Sequence, residues 1–144
     1  MLKAYIAGPL RGDGTEYAIT QNRARAASVA RDLWRAGFSV FCPHLNTAGM
    51  VGLLGKEGEA AFIAGDVLWL QHADLLFMLN GWEQSEGARC EHEYATAFFT
   101  AIQLLYETET EAGLPIWSYR NHLYDIRGLQ AVWKVSPLHE MVLE

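Results

Sequence analysis

Apolar and polar positions alternate between short solid runs and helical stripes from the first residue on. Leu2-Lys-Ala-Tyr-Ile-Ala7 predicts a strand, closed by Gly8-Pro9 and followed by a loop that Gly12 and Gly14 keep open. Residues 16–36 repeat apolar residues at helical spacing (Ile19, Ala26, Ala27, Ala30, Leu33 and Trp34), with Thr15 as N-cap and Gly37 as the left-handed closing residue. Arg23, Arg25, Arg31 and Arg35 fall mostly on other faces and read as a solvated surface. Residues 38–42 predict a second strand that Pro43 stops. A long glycine-punctuated loop follows from His44 to about Lys56, with Gly49, Gly52 and Gly55. Ile63, Val67 and Leu70 make the stripe of a second helix over 57–72. Residues 73–79 are apolar on both faces, the pattern of a central parallel strand. A third helix opens near Glu86 behind Ser85, which stands at the N-cap.

Beyond residue 100 the pattern is thinner. Ile102–Tyr106 predicts a fourth strand, 107–111 an acidic turn, and Leu114–Tyr119 a fifth, edge-like strand because of Pro115. A short helix is expected over Ile126–Trp133. Trp117, Tyr119, Tyr124 and Trp133 read as core cover or a subunit contact. Alternating strands and helices define an α/β class: a doubly wound, mostly parallel sheet of about five strands, in one domain over residues 1–144 with an extension from about 110. Ligands in such sheets bind outside the carboxyl ends of the strands. Here those ends carry Gly8–Gly14, His44–Thr47 and Gly81–Ser85.

Composition narrows the function classes. The chain has 144 residues, 51% of them apolar, enough to bury a core and too many for disorder. Its net charge of −6 argues against a partner that is polymeric nucleic acid, and the C-terminal aromatics are not interleaved with basic residues. Cys42 and Cys90 are too few for a disulfide framework. No apolar run reaches about 18 residues, so no membrane partner is expected. The N-terminal residues do not have the pattern of a signal peptide, so a cytoplasmic location is expected.

Three features suggest chemistry. Glu91 lies just inside the third helix, with Ala95 about 40° and Ala88 about 60° away around the axis, whereas Glu93 is about 200° away and faces out. Asp66 sits beside the apolar stripe of the second helix, about 40° from Leu70, where burial raises a carboxyl pKa. Arg11, in a glycine-rich loop after the first strand, offers a guanidinium fork that suits a phosphate, although an exposed loop arginine is an equal reading. Trp82 stands in the Gly81-Trp82-Glu83 turn before the third helix. Cys42 and His44 lack a second pair at ligand spacing, so neither a metal nor a cofactor is expected.

Three segments together resemble the nucleoside 2-deoxyribosyltransferase-like superfamily, nearest its nucleotide N-glycosidase branch and its small phage and bacterial relatives. They are Tyr5-Ile-Ala-Gly-Pro-Leu-Arg-Gly12, Asp66-Val-Leu-Trp-Leu-Gln-His-Ala-Asp74 and Ser85-Glu-Gly-Ala-Arg-Cys-Glu-His-Glu-Tyr-Ala95. The resemblance spans roughly residues 3–106 and implies roles. Glu91 matches the nucleophile, Asp66 the group that protonates the leaving base, and Tyr5 the residue that orients the nucleophile. Arg11 and Ser85 match ligands of a 5′-phosphate, and Gly8 and Gly87 keep the backbone close to the ligand. His44 and Asn46, in the second loop, are further candidates for contact with substrate, and Trp82 either stacks on a base or closes the pocket. Pro9 stands where phosphate-binding members often carry a hydroxyl residue. The implied activity is hydrolysis of the N-glycosidic bond of a (deoxy)nucleoside or nucleoside 5′-monophosphate. Base exchange by a deoxyribosyltransferase and non-catalytic nucleotide binding are the alternatives. The implied partners are a small nucleoside or nucleotide and further copies of the chain, as a homodimer or larger assembly.

Overall fold

The computed structural model describes residues 1–50, 55–109 and 113–140. Strands β1 (Lys3–Ala7), β2 (Ser39–Phe41), β3 (Leu75–Met78), β4 (Gln103–Thr108), β5 (Ile116–Tyr119) and β6 (His122–Tyr124) form one sheet in the order β2-β1-β3-β4-β5-β6. The first four are mutually parallel, with Tyr5 opposite Phe41 on one side and Leu76 on the other. The last two run antiparallel. The sheet is thus mostly parallel, as expected, but mixed, with six strands rather than about five.

Helix α1 (Glu16–Ala36) connects β1 to β2. Thr15 Oγ1 accepts from Ala18 N–H at 3.1 Å, and Gly37, at φ 103°, takes the left-handed turn that ends the helix. Helices α2 (Pro43–Asn46) and α3 (Gly55–Leu70) precede β3, and α4 (Glu86–Ala97) precedes β4. The expected long loop is therefore partly the short helix α2, started by Pro43 at its first position. Its glycine at 52 lies outside the described residues. Each face of the sheet has its own core. Ile6, Phe38, Phe77, Leu105 and α1 fill one. Tyr5, Leu70, Leu76, Met78, Ala88 and Ala95 fill the other.

The C-terminal third revises two expectations, for the fifth strand and for the acidic turn. Leu114–Tyr119 does not supply an edge: β5 is interior, β6 covers it, and Pro115 lies just before the strand, where it removes no ladder bond. The hairpin turn Arg120-Asn121 places both residues at positive φ (49° and 64°), a two-residue turn without the usual Asn-Gly signal. The acidic turn begins later than expected, since Glu107 lies within β4 and is buried; positions 110 and 111 fall outside the described residues. Glu107 Oε1 accepts from Asn80 N–H at 2.9 Å, and its other oxygen pairs with Arg25. Arg25 is thus no free surface charge, and Arg23 Nε likewise donates to the His44 carbonyl at 3.2 Å. Helix α5 (Ile126–Trp133) packs with Trp117, Tyr119 and Tyr124 against the α1 side of the sheet, and the Trp117 ring meets Phe77 edge-on at 4.8 Å.

Candidate functional site

A cavity of about 370 Å³ opens beyond the carboxyl ends of β1 and β3. Its first wall is the loop that follows β1. Here β1 and β3 lie side by side, with Leu79 N–H donating to the Ala7 carbonyl at 2.8 Å. A Cβ on Gly8 would sit 2.8 Å from Leu79 Cβ, so only glycine lets the two strand ends approach this closely. The loop is then pinned from two helices: Asn22 Nδ2 donates to the Leu10 carbonyl at 3.0 Å, and His44 Nε2 lies 2.9 Å from the Pro9 carbonyl. A carbonyl only accepts, so Nε2 carries the proton. Burial lowers the His44 pKa, which keeps the ring neutral and leaves Nδ1 facing Cys42 Sγ at 3.9 Å. Arg11 reaches the cavity mouth, where it forms an ion pair with Glu59.

The second wall is one face of α3: Glu59, Phe62, Ile63 and Asp66, spaced three and four residues apart. The third is the opening of α4, with Ser85, Glu86, Gly87, Ala88 and Glu91. Ser85 Oγ accepts from Ala88 N–H at 3.3 Å, a helix cap. A Cβ on Gly87 would lie 3.7 Å from Ile63, an ordinary contact, so the α3–α4 approach does not demand glycine there. His44 and Thr47 complete the lining on the β2 side.

Glu91 lies at the cavity's inner end, 7% exposed between Ala88 and Ala95, which are both buried. Tyr5 lies deeper, 1% exposed on β1, with its ring 5.4 Å from Phe41. Tyr5 Oη and Glu91 Oε2 are buried and lack a hydrogen-bond partner of good geometry. The two groups still interact. Burial pushes the Glu91 carboxyl up to about 8, the Tyr5 hydroxyl pulls against that shift, and the Asp66 charge adds to it. Burial likewise raises Asp66 to about 6. The Tyr5 phenol is driven upward by burial and then by the neighbouring Glu91 and Asp66 charges, so it remains protonated.

Gly8, Arg11, His44, Asp66, Ser85, Gly87 and Glu91 therefore line one cavity, with Tyr5 beneath it. Asn46 is exposed and outside the lining, and its neighbour Thr47 takes the place. Trp82 is also outside. Its ring stacks on His92 at 4.3 Å, and His92 Nε2 lies 2.7 Å from Tyr106 Oη. Glu59, Phe62 and Gln84 join the site without having been singled out in the sequence. The i, i+3, i+4, i+7 relation of Glu59, Phe62, Ile63 and Asp66 was the signal for the first two. Glu86 lines the cavity as well, bringing its carboxyls to four. Among the described residues no three His, Cys, Asp or Glu side chains gather as a metal site requires, and no helix is long and apolar enough to cross a membrane.

Fold and site together define an α/β protein with an acidic, partly apolar pocket beyond the carboxyl ends of its parallel strands. The chain belongs to the family described as Domain of unknown function (DUF4406), which matches residues 2–104. That span holds every residue lining the pocket and ends within β4, before the C-terminal hairpin and α5. No curated protein matches the chain.

Proposed function

We propose that the protein hydrolyses the N-glycosidic bond of a (deoxy)nucleoside or nucleoside 5′-monophosphate and releases the free base. The observation that carries this reading is the pairing of Glu91 and Asp66 in one cavity, each with a raised pKa. Between about pH 6 and 8 the pair holds one proton, so one carboxyl is ionised and the other can donate. In the empty pocket the proton rests on Glu91. A sugar whose anomeric carbon develops positive charge beside Glu91 lowers that pKa, and the proton passes to Asp66, leaving Glu91 as the carboxylate.

Glu91 then attacks the anomeric carbon, and a bond from Glu91 oxygen to C1′ forms as the C1′–N bond breaks. The departing base takes a proton that Asp66 donates. Asp66, now ionised, deprotonates a water that attacks C1′, which frees the sugar and restores Glu91. Tyr5, held protonated beneath the pocket, is placed to donate to the Glu91 carboxylate as it forms. The apolar faces of Phe62 and Ile63 offer a surface for the base. Exposed Leu68 and Trp69 on α3, Tyr94 on α4 and Phe98 just after it favour self-association, which sedimentation velocity tests; a monomer at all concentrations sinks that part.

The decisive experiment incubates the protein with ribo- and deoxyribonucleosides and their monophosphates and separates free base by chromatography. Base release without an acceptor supports hydrolysis. Release only on addition of a second base makes the protein a deoxyribosyltransferase, and binding without release makes it a nucleotide-binding domain. Undiminished release by Glu91→Ala removes Glu91 as the nucleophile.

A further inference from the structure

The mouth of the pocket carries a feature that bears on what the ligand's far end can be. Arg11 is the lining's guanidinium, and it is already paired with Glu59 across the opening, from the β1–α1 loop to α3. Both side chains are partly open to solvent, 52% and 35% exposed, so neither is locked out of reach of a ligand. Four carboxyls, Glu59, Asp66, Glu86 and Glu91, line the same space, while His44 is neutral. Two positions around that space offer no N–H to an anion: Ala88 N–H is capped by Ser85 Oγ, and Pro9 has none. Glu86 occupies the first turn of α4, where the helix dipole would otherwise favour a phosphate.

We propose that Glu59 is a specificity-determining residue: by holding Arg11 it makes the pocket accept a nucleoside with a free 5′-hydroxyl and reject the 5′-monophosphate. The identity of the ligand rests on the glycosidase reading, whereas the exclusion of phosphate rests on the Arg11–Glu59 pair. A phosphate dianion would have to bind an Arg11 whose charge Glu59 already offsets and then share the mouth with that carboxylate, a like-charge juxtaposition that opposes binding. A neutral hydroxymethyl group needs neither step. It can donate a hydrogen bond to Glu59 while the ion pair stays intact.

Two measurements on the full chain separate the pocket's charge selection from its chemistry. The first follows the Arg11 Nε–H signal by NMR during titration with methyl phosphate, a dianion with neither base nor sugar. Glu59→Gln is expected to bind methyl phosphate about tenfold more tightly than the unmodified protein. Glu59→Ala should do the same, which guards against a misfolded single variant. The second compares base release from nucleosides and their monophosphates. The unmodified protein should favour nucleosides, and Glu59→Gln should raise the monophosphate-to-nucleoside ratio by about tenfold. Equal binding of methyl phosphate by all three proteins overturns the proposal, as does a native preference for monophosphates. If methyl phosphate behaves as expected but no base is released from any compound, the glycosidase reading falls and the exclusion of phosphate by Glu59 stands.

Discussion

Glu91→Gln should stabilise the fold at alkaline pH while removing catalysis. The side chain is 7% exposed and its carboxyl is raised from 4.5 to about 8 in the folded chain. The folded state therefore binds a proton that the unfolded state has released, and stability falls as pH climbs through that window. At about 1.36 kcal/mol per pH unit, the loss relative to acid conditions is about 3 kcal/mol at pH 7 and about 5 kcal/mol at pH 9. Below pH 4.5 the contribution is fully present and the neutral carboxyl resembles the amide in size and shape. Glutamine does not titrate, so its buried dipole costs the same at every pH. For a chain of this length the difference amounts to a gain of roughly 10 °C or more in Tm at pH 9, and near zero at pH 4. Thermal denaturation of both proteins by circular dichroism between pH 4 and 9 reads it directly. Parallel Tm curves for the two proteins would refute the reasoning, because they would mean that Glu91 titrates alike in the folded and unfolded chains.

Base release should follow a bell-shaped pH dependence, rising as the first carboxyl of the Glu91–Asp66 pair ionises near pH 6 and falling as the second loses its proton near pH 8. A flat kcat/KM between pH 5 and 9 would remove the shared proton from the mechanism. Arg25→Met should cost about 2 kcal/mol in urea denaturation, because it leaves the buried Glu107 carboxylate with Asn80 N–H and no counter-charge. Adding Glu107→Gln should recover most of that loss, and a single variant as stable as the native protein would show that the pair contributes nothing.

Local signals carried far along this chain wherever one element decided the outcome. Thr15, Gly37 and Ser85 are read from sequence as helix ends because capping depends on a few consecutive residues, and the structure places them there. Glu91 separates from Glu93 by helical rotation alone, since burial of a helix follows its period: Glu91 is buried and Glu93 exposed. Asn46 and Trp82 were harder to place. Each sits in a segment near the pocket, but its final direction depends on packing: α2 turns Asn46 outward, and His92 captures the Trp82 ring.

The βα alternation of the first hundred residues, the apolar central strand, and the carboxyls that α3 and α4 each carry on or beside a buried face are all legible along the linear chain. Periodicity and caps are short-range, so a linear reading reaches them. Which distant residues meet is a matter of how the elements pack. That packing paired Arg25 with Glu107 and Arg11 with Glu59, folded the C-terminal residues into the sheet as β5 and β6, and laid Asp66 and Glu91 in one cavity. Those contacts join helices and strands through space, and desolvation by the assembled core, not the identity of the residues, moves the Glu91 and Asp66 carboxyls toward neutral pH.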